Sequence, residues 1–262
     1  MSFAFDLYVD RPSWLHRLDP RTKLAFVVFS SILLLSSSHL FVSAAVLLGI
    51  HGILWSGKVP ANRLRWAWQR MWPITFLILL LWPIFYPQGD EVLLQVWRVR
   101  ITTQGILQGL NTALRVDALA FAFLVLLFSS DQARLVRGLV KLGLPYEWGL
   151  TLAIALRYLP TLYGIYTTVS EAQQARGWVI GEGSFVRRIK SYLPILVAVI
   201  VAALRLADNL SMALAARGFQ SGVKRTHLRE LELGLADRIC LLLLAVSLVV
   251  FLIFRFRHGL GA

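Results

Sequence analysis

The sequence predicts an all-α integral membrane protein with about five transmembrane helices and further long helices on the cytoplasmic side. The chain of 262 residues is 57% hydrophobic, with a mean hydropathy of +0.66, whereas a soluble domain is about half apolar. The apolar excess lies in long runs, which indicates a bilayer rather than a soluble core. The net charge is +13, and the basic residues lie between these runs, as in cytoplasmic loops. Nucleic-acid binding is disfavoured because basic soluble domains have no spanning segments.

Five apolar runs are the predicted spans. The first follows Asp19, which suits a helix N-cap, and Pro20, which suits the first helical position because it has no N–H to leave unpaired. Several runs are shorter than the roughly 20 residues of a perpendicular span, so flanking residues must complete them. The sequence predicts a membrane domain over residues 1–130 with four of these helices, and a C-terminal transmembrane helix within 237–262. The runs cover about residues 24–35, 40–55, 74–86, 116–128 and 239–254.

The distribution of loop charge predicts the orientation. Residues 1–23 and 57–72 are rich in Lys and Arg and are expected in the cytoplasm. The turn at 36–39 has neither residue type, and the segment 87–114 has a balanced charge, so both are expected outside. The N-terminus is then cytoplasmic and the C-terminus outside. Basic residues at the outer end of the last run depart from the rule, and snorkelling would accommodate them.

Residues 131–236 form a predicted cytoplasmic-side module of three helices. The helices cover about residues 131–142, 146–176 and 191–217. They are interpreted as too polar to span and too apolar to be freely solvated, so we expect them to lie obliquely and cover a partner. The alternative is two ordinary spans at 150–166 and 193–207, in which case Arg157 must face a protein interior.

The most informative sequence feature is a helix end that occurs twice. Ala175-Arg176-Gly177 precedes Trp178, and Ala216-Arg217-Gly218 precedes Phe219. Glycine just past a helix end adopts the left-handed conformation that stops the helix, and an arginine there stabilises its own helix by about 0.3–1 kcal/mol. One such tripeptide is explained as a C-cap. Two of them on long helices favour a function, because a guanidinium at a rigid tip can form two hydrogen bonds with a carboxylate of another protein.

These paired motifs resemble those of the transmembrane coupling subunit of energy-coupling factor transporters, including the cobalt-transporter member of that family. Two other stretches are similar to the family. Residues 18–23, Leu-Asp-Pro-Arg-Thr-Lys, resemble its entry into the first span. Residues 142–145, Leu-Gly-Leu-Pro, and 156–160, Leu-Arg-Tyr-Leu-Pro, resemble the middle of its coupling module. The resemblance covers most of the chain, and residues 56–115 are the least diagnostic part.

The resemblance implies a non-catalytic subunit that links two cytoplasmic ATP-binding cassette ATPases to one small substrate-binding membrane subunit. Its substrate would be a vitamin or a transition metal such as cobalt or nickel. No cofactor is expected on this chain, and ATP and Mg would be bound by the partners. The implied ATPase-coupling residues are Ala175, Arg176, Gly177, Ala216, Arg217 and Gly218. The implied contacts to the substrate-binding subunit are Leu139, Leu142, Leu144, Pro145, Leu156 and Pro160.

The sequence has no G-x-x-x-x-G-K-[ST] loop, so ATP hydrolysis by this chain is not expected. A metal site is not expected either, because the five histidines are scattered and there is one cysteine. Three alternatives remain open. The first is a secondary transporter with a polar midplane site. The second is a membrane enzyme that uses Arg157, Glu171 and Asp208. The third is a permease half that dimerises. Gly181 and Gly183 are interpreted as a flexible link.

Overall fold

The computed structural model describes residues 8–9, 11–37, 39–86, 92–96, 99–178, 181, 184–219 and 233–258. It is helical apart from one hairpin, so the predicted all-α class is confirmed. The two strands lie in the segment that was expected to be an outer loop. The elements are α1 Trp14–Arg17, α2 Pro20–Ser36, α3 Leu40–Ser56, α4 Ala61–Phe85, β1 Val92–Val96, β2 Val99–Thr102, α5 Thr103–Ser129, α6 Gln132–Lys141, α7 Tyr146–Ala175, α8 Phe185–Ser191, α9 Leu193–Ala216 and α10 Leu235–His258.

The hairpin leads directly into α5, which is why this helix begins earlier than its apolar run. β1 pairs with β2 in antiparallel register. Thr102, the last residue of β2, caps α5 by accepting a hydrogen bond from the Gly105 N–H. Gly105 and Gly109 then face α4, where an added Cβ would lie 2.8 Å from the Tyr86 carbonyl oxygen and 3.1 Å from the Trp82 Cβ respectively. The glycine pair therefore allows α4 and α5 to approach closely.

The described chain divides into two compact units, one of residues 2–143 with 231–262 and one of residues 144–230. The boundary differs from the predicted module of 131–236. Its first helix, α6, packs on α2, where a Cβ on Gly138 would lie 3.1 Å from the Pro20 Cβ. By packing, α6 is thus part of the larger unit. The predicted division into 1–130, 131–236 and 237–262 remains a prediction about placement in the membrane.

Helix α5 is the centre of the larger unit and packs against α2, α3 and α4. Phe121 is fully buried and lies against the rings of His51 and Trp68. Asn111 and Asp117 of α5 are buried and both have hydrogen-bond partners on neighbouring helices, since an unpaired polar group is costly away from water. Asp117 is 2% exposed and accepts a hydrogen bond from the Thr75 hydroxyl of α4 at 2.8 Å. The packing of α5 against its neighbours therefore combines apolar contact with internal polar pairs.

Within the described residues, three helical segments are long and apolar enough to cross a bilayer, namely Ala61–Phe85, Thr103–Ser129 and Phe185–Ala216. Leu40–Ser56 is apolar but shorter. The first two coincide with predicted spans. The third contains α9, which had been interpreted as too polar to span, so its composition favours the alternative of an ordinary span. In the smaller unit, α7 and α9 pack against each other, and the apolar side chains of α7 are half-buried or exposed.

Candidate functional site

The first arginine-bearing helix end closes α7. The helix ends at Ala175, Arg176 occupies the C-cap, and Gly177 has a φ of +81°. The Gly177 N–H donates to the Gln174 carbonyl at 2.9 Å, and the Trp178 N–H donates to the Gln173 carbonyl at 3.0 Å. This pair of hydrogen bonds is the Schellman motif, which satisfies carbonyls that the helix itself leaves unpaired.

The second helix end, at α9, has the same geometry. The helix ends at Ala216, Arg217 is the C-cap, and Gly218 has a φ of +70°. The Gly218 N–H donates to the Ala215 carbonyl at 2.9 Å, and the Phe219 N–H donates to the Leu214 carbonyl at 3.0 Å. The two tripeptides thus form one local structure twice, with an arginine at the same position and an aromatic residue closing the turn. The predicted C-caps are confirmed at both places.

Both arginines are exposed, as are the alanine and glycine on either side of each. Among the residues that the structure describes, neither guanidinium has a hydrogen-bond or ion-pair partner. A planar guanidinium presents five N–H donors, and water or a partner must satisfy them. Each helix therefore ends in an arginine whose backbone is held by the cap and whose guanidinium donors are unpaired within the described residues. This is the chemistry required to bind a carboxylate on another protein.

The tip of α7 is tied to α8, just before α9, by contacts that the sequence did not indicate. The Trp178 indole N–H donates to the Ser191 carbonyl at 2.8 Å. The Gly181 N–H donates to the Ser191 hydroxyl at 3.1 Å, and the Gly181 carbonyl accepts from Arg188 Nε at 2.9 Å. The interpretation of Gly181 as part of a flexible link was therefore wrong, because both of its backbone groups are held. Gly183 lies outside the described residues.

The implied contacts to the substrate-binding subunit fall in both units, and each is at least partly accessible. Leu139 and Leu142 belong to the end of α6, and Leu142 is 60% exposed. The others lie at the start and in the middle of α7: Leu144, Pro145, Leu156 and Pro160. Pro160 lies inside α7 and has no N–H, so the Leu156 carbonyl lacks its helical donor. Contact with a second protein stays a prediction for all six.

The stretch at residues 18–23 forms a buried polar junction at the start of α2. Asp19 caps the helix by accepting from the Arg21 N–H at 2.9 Å, as predicted. Asp237 at the start of α10 accepts from the Asp19 N–H at 2.8 Å and from the Thr22 hydroxyl at 3.0 Å. Lys23 donates to the Ser129 carbonyl at 2.8 Å. The motif thus joins α2 to the end of α5 and to α10.

Lys23 lies just before the apolar run of α2 and is 3% exposed. Burial, reinforced by the nearby Arg134 cation, lowers the pKa of Lys23 to about 8, whereas Asp237 and Asp19 act in the opposite direction. The ammonium group is therefore still charged at neutral pH. Its role in this junction is structural, since it donates to the C-terminal carbonyl of α5 and to the Ser130 hydroxyl at 3.0 Å.

No group of three or more His, Cys, Asp or Glu side chains among the described residues could hold a metal ion. The three residues of the enzyme alternative, Arg157, Glu171 and Asp208, are all exposed on long helices. No hydrogen bond or ion pair joins any two of them within the described part of the chain. The structure thus offers no assembled catalytic group at these positions.

Comparison with known proteins identifies the family. A family model described as cobalt transport protein, CbiQ, matches residues 11–228, a range that includes both arginine-bearing helix ends. The chain belongs to this family. The resemblance that the paired motifs indicated is therefore confirmed over most of the sequence.

Curated relatives of this CbiQ-family chain carry the name energy-coupling factor transporter transmembrane protein EcfT. The protein of Lactococcus lactis subsp. cremoris is 31% identical over 252 residues, which cover 93% of this chain and 92% of the relative. The protein of Brevibacillus brevis is 32% identical over 260 residues, covering 95% and 97%. That of Listeria innocua is 33% identical over 250 residues, covering 91% and 93%. Like these relatives, the chain is a transmembrane component of a transporter and not an enzyme.

Proposed function

We propose that this chain couples two cytoplasmic ATP-binding cassette ATPases to a small substrate-binding membrane subunit in an energy-coupling factor importer. The observation that carries the proposal is the repeated helix end, in which Arg176 and Arg217 occupy the same position of the same Schellman motif. Two arginines in the same local structure on one chain would each bind the same site on one of two related ATPases.

The helices that bear these tips are suited to transmitting a movement. α7 has 30 residues and α9 has 24, so they are about 45 Å and about 36 Å long at 1.5 Å per residue. The capped ends fix the direction in which each arginine leaves its helix, because the backbone carbonyls of the last turn are hydrogen-bonded. A displacement of an ATPase that holds the guanidinium would therefore move the helix as a body. The Trp178 to Ser191 bond would pass part of that displacement to the start of α9.

The apolar surface of the chain is where the substrate-binding subunit would lie. Exposed apolar side chains of α7 include Trp148 and Leu159, at 69% and 46% exposure, and a membrane partner or lipid must cover them. The predicted contact residues on α6 and α7 are also apolar and at least partly accessible.

In this proposal the protein lies in the cell inner membrane, with its N-terminus in the cytoplasm and its C-terminus outside. ATP and Mg are bound by the ATPases.

The substrate proposal is a vitamin or a transition metal such as cobalt or nickel. The family description supports the metal, and the names of the relatives support an energy-coupling factor importer without specifying its substrate. Affinity isolation of the chain from its native membranes, followed by mass spectrometry, would identify the substrate through the small membrane protein that accompanies it. Isolation of the chain alone or as a homodimer, without an ATPase at low salt, would favour a secondary transporter or a permease half.

The decisive test of the coupling mechanism is the double variant Arg176→Glu with Arg217→Glu. Each substitution places a negative charge where a carboxylate of the ATPase is expected, so transport and co-purification of the ATPases should be lost while membrane insertion is unchanged. The matched control is Arg187→Glu with Lys190→Glu, which makes the same change of charge at exposed positions of α8. Near-normal transport by the first variant, or equal loss in both, would reject the mechanism.

A further inference from the structure

The larger unit contains an apolar cavity of about 400 Å³ that is partly open at the protein surface. It lies where α10 approaches the beginning of α2, and the ends of α1 and parts of α3 and α5 complete its wall. Almost all of its accessible surface is apolar. The lining residues on α1, α2 and α10 that matter here are Trp14, Leu18, Lys23, Cys240, Leu244 and Ser247.

Ordered water is disfavoured in this cavity, because its wall is mostly apolar and the Lys23 ammonium already donates to Ser129 and Ser130. The neighbouring surface of α10 is also apolar, since Leu242 and Val246 are 64% and 50% exposed. A helix with this surface faces lipid or another apolar partner. Hydrocarbon can fill the cavity without losing any hydrogen bond, because neither the chain nor the wall requires a polar partner. An acyl chain of the surrounding bilayer satisfies these conditions.

Two exposed arginines, Arg17 and Arg134, neighbour residues that line the cavity at the start of α2. Arg17 is exposed and directly precedes Leu18, which lines the cavity. Arg134 of α6 is also exposed, and its guanidinium donates to the His16 carbonyl at 3.3 Å, which places it beside α1. Of the acids described in this region, Asp19 and Asp237 are 5% and 4% exposed, and Asp131 at the start of α6 is half-buried. The two arginines are more exposed than any of these carboxylates.

The other features of the rim fit a lipid headgroup. Trp14, at 47% exposure, is a ring of the type that favours the headgroup level of a bilayer. Arginine guanidinium groups bind phosphate by two parallel hydrogen bonds. The positive charge of the two arginines therefore complements an anionic phosphate, and the apolar cavity complements an acyl chain of the same phospholipid.

We propose that this cavity binds one anionic phospholipid, with an acyl chain between α2 and α10 and the phosphate against Arg17 and Arg134. The site is separate from the two arginine-bearing helix ends and does not depend on the proposed coupling role. Its consequence is that the junction of α2, α5 and α10 is completed by a lipid of defined charge.

Cys240 provides a direct readout, because it lines the cavity and is the one cysteine of the chain. The full chain would be reconstituted in nanodiscs of phosphatidylglycerol or of phosphatidylcholine, and the rate of alkylation of Cys240 by N-ethylmaleimide would be measured. Alkylation should be about tenfold slower in phosphatidylglycerol, the factor 1 + [L]/Kd for a ligand at about ten times its Kd. Native mass spectrometry of the same preparation should show one retained phosphatidylglycerol.

Two pairs of variants test the binding of the lipid headgroup and the binding of its acyl chain separately. Arg17→Gln with Arg134→Gln should remove the difference between the two lipids, whereas Arg63→Gln with Arg65→Gln, exposed basic residues at the start of α4, should keep it. Ser247→Trp should fill the cavity and release the retained lipid, whereas Val246→Trp, on α10 but not in the lining, should not. Equal alkylation rates in both lipids, or a rate that falls only when partner proteins are added, would overturn the proposal.

Discussion

At the scale of single residues, Gly177 and Gly218 are the positions whose role follows most directly from backbone conformation. Each takes a positive φ, +81° and +70°, immediately after an exposed arginine. In this conformation a Cβ approaches the backbone carbonyl oxygen, which costs a residue other than glycine roughly 1–2 kcal/mol. Because the turn fixes the backbone at the arginine, the glycine determines the direction in which the arginine side chain leaves the helix.

Gly177→Ala with Gly218→Ala should therefore weaken ATPase binding although neither arginine is changed. The expected cost is about 1–2 kcal/mol at each helix end, which would reduce the transport rate and the yield of co-purified ATPase several-fold. Gly164→Ala is the matched control. An added Cβ meets no atom within 4 Å there, and alanine in a helix interior is more favourable than glycine by about 1 kcal/mol. Unchanged transport in the double variant would show that the turn does not position the arginines.

At the scale of elements, α7 and α9 are not independent levers. They pack against each other, and the residue that closes the turn of α7, Trp178, is bound to Ser191 just before α9. A force applied at Arg176 thus reaches α9 through the indole as well as through helix packing. The connection also explains why an aromatic residue with an N–H donor follows the first arginine-glycine pair, since phenylalanine or tyrosine has no donor at that position of the ring.

Trp178→Phe tests this connection. Loss of the indole hydrogen bond should lower the free energy of local opening at the end of α7 by about 1 kcal/mol. Hydrogen exchange at the backbone amides of positions 177 and 178 should therefore accelerate about fivefold. The amount of substrate transported per ATP hydrolysed should fall. Trp148→Phe, at a position of α7 that is 69% exposed, is the control and should leave both quantities unchanged. Equal exchange rates in the variant and the parent protein would show that the bond does not stabilise the tip.

At the scale of the whole molecule, the significant fact is that one chain carries both tips. A permease half that dimerises needs only one coupling helix end for each chain, whereas this chain has two ends of the same geometry. The arrangement favours an assembly in which a single copy engages two ATPases. Each tip would then serve one ATPase, and neither could replace the other.

Native mass spectrometry of the purified complex should give one copy of this chain for two ATPase subunits. Arg176→Glu and Arg217→Glu made singly should each reduce the complex to one ATPase or weaken the second, and each should abolish most transport. The parent complex provides the reference mass. Two copies of the chain with two ATPases would contradict this architecture and support the permease-half alternative.

The sequence by itself determined the features whose hydrogen bonds lie within a few consecutive residues. The N-cap of α2 at Asp19 and the ends of α7 and α9 were predicted correctly, because a cap depends on local backbone conformation and on a donor nearby in the chain. The apolar runs also identified the membrane class, since the bilayer requires long apolar helices whatever they pack against. The two arginine-bearing helix ends could be recognised because each is also a pattern of consecutive residues.

The tertiary structure decided which helices meet and which polar groups pair. Thr75 with Asp117, Lys23 with the Ser129 carbonyl, and Thr22 with Asp237 join residues separated by 42, 106 and 215 positions. The assignment of α6 to the larger unit, the restraint of Gly181 and the cavity beside Cys240 likewise depend on packing. No local pattern encodes these contacts, because each arises only when two distant segments bury their surfaces against each other and their polar groups must find partners.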